Sequence, residues 1–529
     1  MNLDSPYQGY LYAYPHKTAY RRLDPRPLLS DVWAAEPQTS LFGYVHLPFC
    51  EMRCGFCNLF TRANPPDEQV TAYLAQLRHQ ATAVRDSLDP AASFSRLAIG
   101  GGTPTYLTAS ELEELFGILA DAFGDRAAPA PAPSPRLLAD PASASAGHPA
   151  PEPLSASPGR LTGEPPSAPR EHLTGQSAPA PREHLAGEPP SASREHLTGQ
   201  PESASRERLA GEPPSASRGR LSGVPLSVET SPATATPDRL AVLAAHGTTR
   251  ISIGVQSFLD AEARAAGRPQ RLPEVMAALQ AIRDARIPVL NIDLIYGIDG
   301  QTAQTWQHSL DEALRWRPEE LYLYPLYVRP LTGLGRRAHA RADWDRQRLE
   351  LYRQAVDVMT AAGYVRHSMR QFRRSDAPVP DGPDYCCQDD GMVGLGCGAR
   401  SYTTTLHYSF DYAVAVPEVR AVLTDYLSRP ADDFRYAEFG FHLDEVEQRR
   451  RWLLKSLLRA EGVDAGAYRR RFGTDHTGDF PQLVRLVDLG LLNETRTALT
   501  ATGLDHSDAI GPWLVSGEVR EAMGAYVPR

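Results

Sequence analysis

Six short apolar or β-branched runs alternate with amphipathic helical patterns, and this alternation restricts the chain to few architectures. The runs are Gly43–Pro48, Arg96–Ile99, Leu226–Glu229, Arg250–Val255, Pro288–Ile295 and Glu320–Tyr324. Helices are predicted between them over Asp67–Ser87, Ala109–Phe123, Pro237–His246, Pro273–Ala285 and Ala303–Arg315. Thr108 stands where an N-cap is expected, and Pro237 where a first-turn proline is. Strands alternating with helices of roughly 10–15 residues imply βαβ units around a parallel sheet. Six right-handed units give an α/β fold, a partial (β/α)6 barrel of the TIM type. In such a barrel the functional groups gather at the C-terminal ends of the strands.

One connection is much longer than the rest. Between Phe123 and Leu226 the chain holds a proline-rich segment, Ala127–Pro225, with 20 of the 46 prolines. Leu161, Leu173, Leu185, Leu197, Leu209 and Leu221 recur at a 12-residue step, and so do Gly163 through Gly223. One leucine and no aromatic per unit cannot build a core, so a disordered insertion is expected there. It would leave the barrel on the face opposite the active-site loops. A docking or tethering role, or metal binding by His172, His184 and His196, are the functional alternatives. The expected organisation is an N-terminal arm over residues 1–40, barrel segments over 41–126 and 226–435, the insertion over 127–225, and a last domain over 436–529. That domain reads as small and helical, from the amphipathic pattern Leu443–Arg459 through Val463–Phe472 and Pro481–Leu489 to a short hairpin wing. A winged helix suggests nucleic-acid binding, and a structural cap on the barrel is the alternative.

Composition favours the cap. Net charge is −9, which gives no electrostatic footprint for nucleic acid. Of 55 basic residues only Lys17 and Lys455 are lysines, a bias that GC-rich coding explains. No apolar run reaches the ~18 residues of a membrane span, and Met1–Lys17 lacks the regions of a signal peptide. Six cysteines are too few for a disulfide scaffold, so a reducing, cytoplasmic setting is expected.

Three of those cysteines are grouped. Cys50, Cys54 and Cys57 form C-x3-C-x2-C in YVHLPFCEMRCGFC, directly after the first strand. Three thiolates on one loop can hold three irons of a [4Fe–4S] cube and leave the fourth iron open. A zinc loop, or a cluster completed by a distant cysteine, is the alternative. The second strand runs into Gly100-Gly101-Gly102-Thr103, where missing side chains let the backbone approach a ligand, or simply make a tight turn. Glu229, Gln256 and Asp293 lie at or near three further strand ends.

This set resembles the radical S-adenosylmethionine (SAM) superfamily, and within it the oxygen-independent coproporphyrinogen III oxidase family. The matching segments are YAYP from Tyr12, the cysteine motif, GGGTPTYL from Gly100, VETSP from Val228, RISIGVQSF from Arg250, GRPQ from Gly267, NIDLIYG from Asn291, GLGCGARS from Gly394 and LTATGLDHSDAIGPWL from Leu499. The resemblance covers nearly everything except the insertion. It implies a [4Fe–4S] cluster on Cys50, Cys54 and Cys57, with SAM chelating the open iron. An electron from the reduced cluster then cleaves SAM to a 5′-deoxyadenosyl radical, which abstracts hydrogen from an unactivated carbon. It places Tyr44 beside the cluster as a catalytic group and Phe56 against adenine. Gly101, Gly102 and Thr103 line the SAM methionine or a neighbouring SAM, while Glu229, Gln256, Arg268, Asp293 and Tyr327 hold the SAM ribose, carboxylate and amino groups. An electron donor such as flavodoxin or ferredoxin is implied as well.

The chain departs from both branches of that family. The decarboxylating oxidases carry a fourth cysteine two residues past the third, where Leu59 stands here. The heme-chaperone branch also lacks it, but carries a His-Asn-x-x-Tyr-Trp motif that GPDYCCQDDG replaces. The expected function is oxidase-like chemistry on a tetrapyrrole substrate. The alternatives are a heme-binding chaperone without turnover and a radical SAM methyltransferase. Cys386, Cys387 and Cys397 are read as reduced thiols, with a second cluster, heme iron or thiol donation as alternatives. His46 is either a neighbour of the SAM site or a packed strand residue.

Overall fold

The computed structural model describes residues 5–123, 221, 223–336, 343–378 and 389–529, all of them in one compact unit. Residues 127–220 and 222 of the repeat insertion, with Cys386 and Cys387, lie outside the described residues. The end of that segment, expected to be disordered up to Pro225, is instead ordered over residues 223–225, and Leu221 and Val224 pack into the core. The six runs become parallel strands β1 (Leu41–Leu47), β2 (Phe94–Gly101), β3 (Leu226–Thr230), β4 (Thr248–Gln256), β5 (Val289–Tyr296) and β6 (Glu320–Pro325). They pair in sequence order, each parallel to the next. The intervening helices are α1 (Asp67–Asp86), α2 (Ala109–Phe123), α3 (Pro237–Ala245), α4 (Leu272–Asp284) and α5 (Ala303–Arg315). At the start of α2, the Glu111 amide donates to Thr108 Oγ1 at 3.3 Å and the Thr108 amide to Glu111 Oε2 at 2.8 Å, a reciprocal cap.

After helix α6 (Trp344–Ala361) the sheet grows at both edges. Strands β7 (Tyr364–Arg366) and β8 (Gln371–Arg374) continue it antiparallel beyond β6. Strand β9 (Met392–Leu395) returns to pair parallel with β1. It is followed by antiparallel β10 (Arg400–Tyr402), β11 (Leu406–Ser409) and β12 (Phe439–His442), and then by Arg21–Arg22 of the arm. This makes 13 strands in one sheet, and no pairing joins its two ends among the described residues. The main core lies between the sheet and its helices and includes Leu74, Phe116, Leu243, Leu279, Trp306 and Tyr352. Leu221 and Val224, at the end of the insertion segment, are buried in it.

The C-terminal segment has its own core, built on helix α7 (Glu445–Leu457) and on Tyr468, Leu486 and Ile510. Tyr14 and Ala19 of the arm are part of it. The predicted wing is much reduced: Leu492 and Leu499 form one isolated bridge, and the chain turns helical again at Ala501–Asp505. The bridge is flanked by two backbone hydrogen bonds, from the Asn493 amide to the Ala498 carbonyl and from the Thr500 amide to the Leu491 carbonyl, both at 3.0 Å, and Asn493 Oδ1 closes the tight turn by taking the amides of Thr497 and Ala498. Among the described residues, no helix is long and apolar enough to cross a membrane.

Candidate functional site

The inward faces of the strands are layered. At the bottom, Arg250 donates to Glu320 at 2.8 Å and Arg373 reaches the same carboxylate at 2.6 Å. Phe42, Ala98, Met392 and Tyr402 form an apolar floor beside them, with Ala13 of the arm. Above that floor, Tyr44, Gly254, Asp293, Tyr322 and Tyr324 are half-buried and Glu229 is exposed, although all sit on the six parallel strands inside the sheet, each paired on both sides. Side chains at the centre of a fold keep accessible surface only where they line a hollow. Small residues open it: a Cβ on Gly100 would lie 2.9 Å from the Glu229 carboxylate, and one on Gly254 would lie 2.7 Å from Gln256 Nε2.

The cysteine loop spans the C-terminal end of this hollow. Its backbone is clamped from outside: the Gly55 amide donates to the Gly267 carbonyl at 3.0 Å, and the Leu334 amide to the Gly55 carbonyl at 2.8 Å. That contact carries Arg268 to the loop, where Nη1 donates to Cys54 Sγ at 3.7 Å. Thr103, held by its amide on the Phe49 carbonyl at 2.7 Å, donates to Cys50 Sγ at 3.6 Å. Burial pushes the Cys50 thiol up to about 12, against the Thr103 hydroxyl, and Cys57 and Cys54 add to the rise. Cys54 is raised likewise by burial, opposed by Arg268. The Cys50 and Cys54 thiols thus lie in the fields of their neighbouring sulfurs, which oppose their ionisation. Among the described residues no three ligand side chains are drawn tightly enough to hold an ion as they stand. The donor set fits an iron–sulfur cluster nonetheless, because soft thiolates sharing one cluster relieve that mutual repulsion.

The carboxylates come next. The Gly101 amide, at a φ of +114°, donates to Glu229 Oε2 at 3.1 Å. Glu229 keeps accessible surface only toward the hollow, and the protein walls around it desolvate its carboxyl and lift it to about 7 against that hydrogen bond, with the Asp293 charge adding to the lift. Asp293 is lifted to about 6 by burial, against donors on Asn291 at 2.7 Å and Ser252 at 3.3 Å. Gln256 adopts a φ of +67° where the β4–β5 register slips, which turns its amide toward Gly254 and Arg268. Arg268 also donates to Gln270 at 3.2 Å.

The structure therefore brings Gly101, Gly102, Thr103, Glu229, Gln256, Arg268 and Asp293 to one end of the sheet with Cys50, Cys54 and Cys57. Tyr44 projects into the hollow, 6.3 Å from the His46 ring. Phe56 packs with Ala266, Ile295, Ile298, Leu326 and Leu334. The Tyr327 hydroxyl is committed elsewhere, donating to Asp508 of the C-terminal segment. His46 is buried, bonds the Phe60 carbonyl at 3.0 Å and is pushed down to about 4 by burial. Cys397 is buried beside Tyr73. Several residues near the site escaped the sequence reading: Ser252 and Asn291, which fix Asp293, and Lys17, Arg400 and Tyr412. For Ser252, Asn291, Lys17 and Arg400 the only signal was position on the strands and arm that carry the motifs, and Tyr412, in the loop after Ser409, had none.

Residues 193–313 match the family model of the radical SAM superfamily, a stretch that takes in β3 to β5 and lies after the cysteine loop. The chain has a radical SAM domain. It is homologous to two kinds of curated relative, heme chaperones and oxygen-independent coproporphyrinogen III oxidases. Heme chaperone HemW of Bacillus subtilis is 24% identical over 279 residues, 52% of this chain and 71% of the relative. HemW of Escherichia coli is 28% identical over 184 residues, but the match spans only 46% of its length. The oxygen-independent coproporphyrinogen III oxidase of Paracoccus denitrificans is 24% identical over 366 residues, 68% of this chain and 60% of the relative. The solved structure of coproporphyrinogen III oxidase from Escherichia coli, HemN, a radical SAM enzyme, superposes with a TM-score of 0.65 at 19% identity over 98% of both chains. The fold is that of HemN. The radical SAM family uses a [4Fe–4S] cluster and SAM.

Proposed function

We propose that this chain is a radical SAM enzyme acting on a carboxylate-bearing tetrapyrrole, by oxidase-like chemistry. The observation that carries this reading is the hollow under the cysteine loop, lined by Glu229, Gln256, Arg268 and Asp293. Cys50, Cys54 and Cys57 would hold the [4Fe–4S] cluster. Arg268 suits the SAM carboxylate, Glu229 its amino group, and Asp293 and Gln256 the ribose hydroxyls. Cluster and SAM together supply one-electron chemistry for hydrogen abstraction from an unactivated carbon. The chain's own part is to orient SAM, to keep water out with the Tyr44 and Phe56 rings, and to hold the Glu229 carboxyl near neutrality. Anaerobic protein, reconstituted with iron and sulfide and given dithionite and SAM, should release 5′-deoxyadenosine. Cys54→Ala should abolish that release, and release by the variant would refute the cluster assignment. Incubation with coproporphyrinogen III followed by mass spectrometry tests the substrate class and whether propionate is lost.

A second reading, a heme carrier of the same fold, is favoured by the similarity to the HemW chaperones. The chain lacks their heme motif. A Soret band that stays with the protein on a sizing column at one heme per chain, without product, would support the carrier.

A further inference from the structure

The N-terminal arm places a second set of polar groups beside the cysteine loop, near Cys57 and Asn58 rather than at Cys54, where Arg268 stands. Lys17 Nζ stands 3.6 Å from the centroid of the Tyr412 ring, and the Lys17 ammonium feels the charge of Cys57. The Tyr412 hydroxyl donates to the Asn58 carbonyl at 3.2 Å, just past the last cluster cysteine. Arg400, on β10, donates to the Tyr12 hydroxyl at 3.0 Å, which meets His16 Nε2 at 3.3 Å. Lys17 hydrogen-bonds the same Tyr12 phenol, so two cations converge on one hydroxyl and, against its burial, draw its pKa down. The groups acting on Arg400 are the phenols of Tyr12, Tyr402 and Tyr20, and those acting on Lys17 are Tyr12, Arg400 and Cys57. No Asp or Glu is among these strongest influences. The acids nearby are already used: Asp390 pairs with Arg451 at 2.9 Å, and Asp411 pairs with Arg529.

Buried neutral groups point to the same gap. The Tyr20 hydroxyl and both ring nitrogens of His407 have no hydrogen-bond partner among the described residues, although Tyr20 is 7% exposed and His407 0%. Both are buried in the combined field of two arginines, His407 in that of Arg451 first and then Arg400, and Tyr20 in that of Arg400 and then Arg451. Secluded cations and orphaned polar atoms are costly alone, and a bound anion with several acceptor oxygens satisfies them together. Composition sharpens the point, since a chain that uses arginine for nearly every cation keeps a lysine here, a compact charge suited to a stacked, crowded corner.

We propose that Lys17 and Arg400 form a carboxylate-binding site for the substrate, lying between the arm and β10 and flanked by Tyr12, Tyr20 and His407. The proposal deepens the tetrapyrrole reading and rests on it for the nature of the ligand. Arg400 takes a carboxylate as a fork, and Lys17 closes the other side as a point charge. A substrate propionate and the carboxylate of SAM share this chemistry. The placement favours the substrate, because Arg268 at Cys54 already serves the SAM side.

The test uses the full-length protein, reconstituted and loaded with SAM, with coproporphyrin III and its tetramethyl ester as fluorescent probes. Lys17→Gln and Arg400→Gln should each weaken coproporphyrin III binding tenfold or more and the ester less than twofold, and Lys17→Arg should recover part of the loss. Equal loss for acid and ester, or no loss for either, overturns the proposal. Weaker SAM binding by the Lys17→Gln protein overturns it too, by assigning the pocket to the SAM carboxylate. If the unaltered protein binds neither porphyrin, the tetrapyrrole reading fails, and citrate then tests the pocket alone. At constant ionic strength citrate should raise the melting temperature of the unaltered protein and not that of the Lys17→Gln protein, and an equal rise in both overturns the site.

Discussion

Gly55 of the cysteine loop and Gly267, one residue before Arg268, meet backbone to backbone. The Gly55 amide donates to the Gly267 carbonyl at 3.0 Å, and a Cβ on Gly267 would lie 2.6 Å from Gly55 Cα. Gly267 also has a φ of +71°. A side chain there is both strained and obstructed, and the obstacle is backbone, which cannot swing away. Gly267→Ala should therefore cost about 1–3 kcal/mol of stability. Because the contact registers Arg268 against Cys54, bound iron after reconstitution should fall several-fold, which iron analysis would read. Full iron loading in the variant would mean that the contact does not set the loop.

The pH response of the site follows from Glu229, whose carboxyl burial lifts to about 7. An unfolded chain ionises this group near its ordinary value, so between there and about pH 7 the folded state binds more protons. The stabilisation is complete below the ordinary carboxylate value and is lost as pH rises through about 7. Ligand-free protein should lose melting temperature over that window, and Glu229→Gln should flatten the loss. SAM affinity should run the other way, because an ionised Glu229 pairs with the SAM amino group. It should rise from pH 6 to pH 8 in the unaltered protein, and be tenfold or more weaker and pH-independent in the variant. Calorimetric titration at three pH values checks both.

How much of this was legible beforehand depends on how local each feature is. The six parallel strands lie within about two residues of the sequence reading at each end, because their patterns are set by neighbours in the chain. The cysteine loop, the glycine run and Glu229, Gln256 and Asp293 were legible for the same reason: each sits at the end of a recognisable strand. The wing is a short, tight turn around one bridge, closed by the Asn493 side chain on the amides of Thr497 and Ala498, a side-chain effect that periodicity does not carry. Lys17 and Arg400 are 383 positions apart and meet only when β9 pairs with β1 and the arm docks on the C-terminal core. Tyr327 was legible as a residue after a strand, but its hydroxyl partner, Asp508, comes from another segment altogether.

That partner is the basis of a further prediction. Asp508 is 2% exposed and accepts two hydrogen bonds from Arg370, which stands on the barrel side just before β8. The pair joins the two cores, and the Tyr10 ring covers the guanidinium at 3.6 Å. Removing one member strands a buried charge, which costs about 3–5 kcal/mol. Asp508→Asn should therefore lower stability by roughly that amount and expose the junction to limited proteolysis. Asp425→Asn, which breaks the pair of an exposed aspartate with Arg429, serves as the comparison and should change stability by under about 1 kcal/mol. Equal effects of the two substitutions would argue that the Arg370–Asp508 contact does not hold the domains together.

The last prediction concerns the long connection. Helix α2 ends at Phe123, whose ring packs on Phe94 with centroids 4.3 Å apart, and Phe94 begins β2. The chain returns through Leu221 and Val224, both buried in the main core, before β3 begins at Leu226. Both ends thus meet the sheet where the strands start, and the cysteine loop stands at the opposite ends. A deletion that respects this anchoring, with residues 127–219 replaced by a short Gly/Ser linker, should leave iron loading and 5′-deoxyadenosine release within about twofold of the full chain, since closing a shorter loop costs little. A deletion extended through Pro225 removes Leu221 and Val224 as well, and should lower stability by about 2–4 kcal/mol through the two lost core side chains. Soluble yield and melting temperature of the two deletions, measured side by side, decide whether Leu221 and Val224 anchor the barrel. Equal melting temperatures would show that they do not.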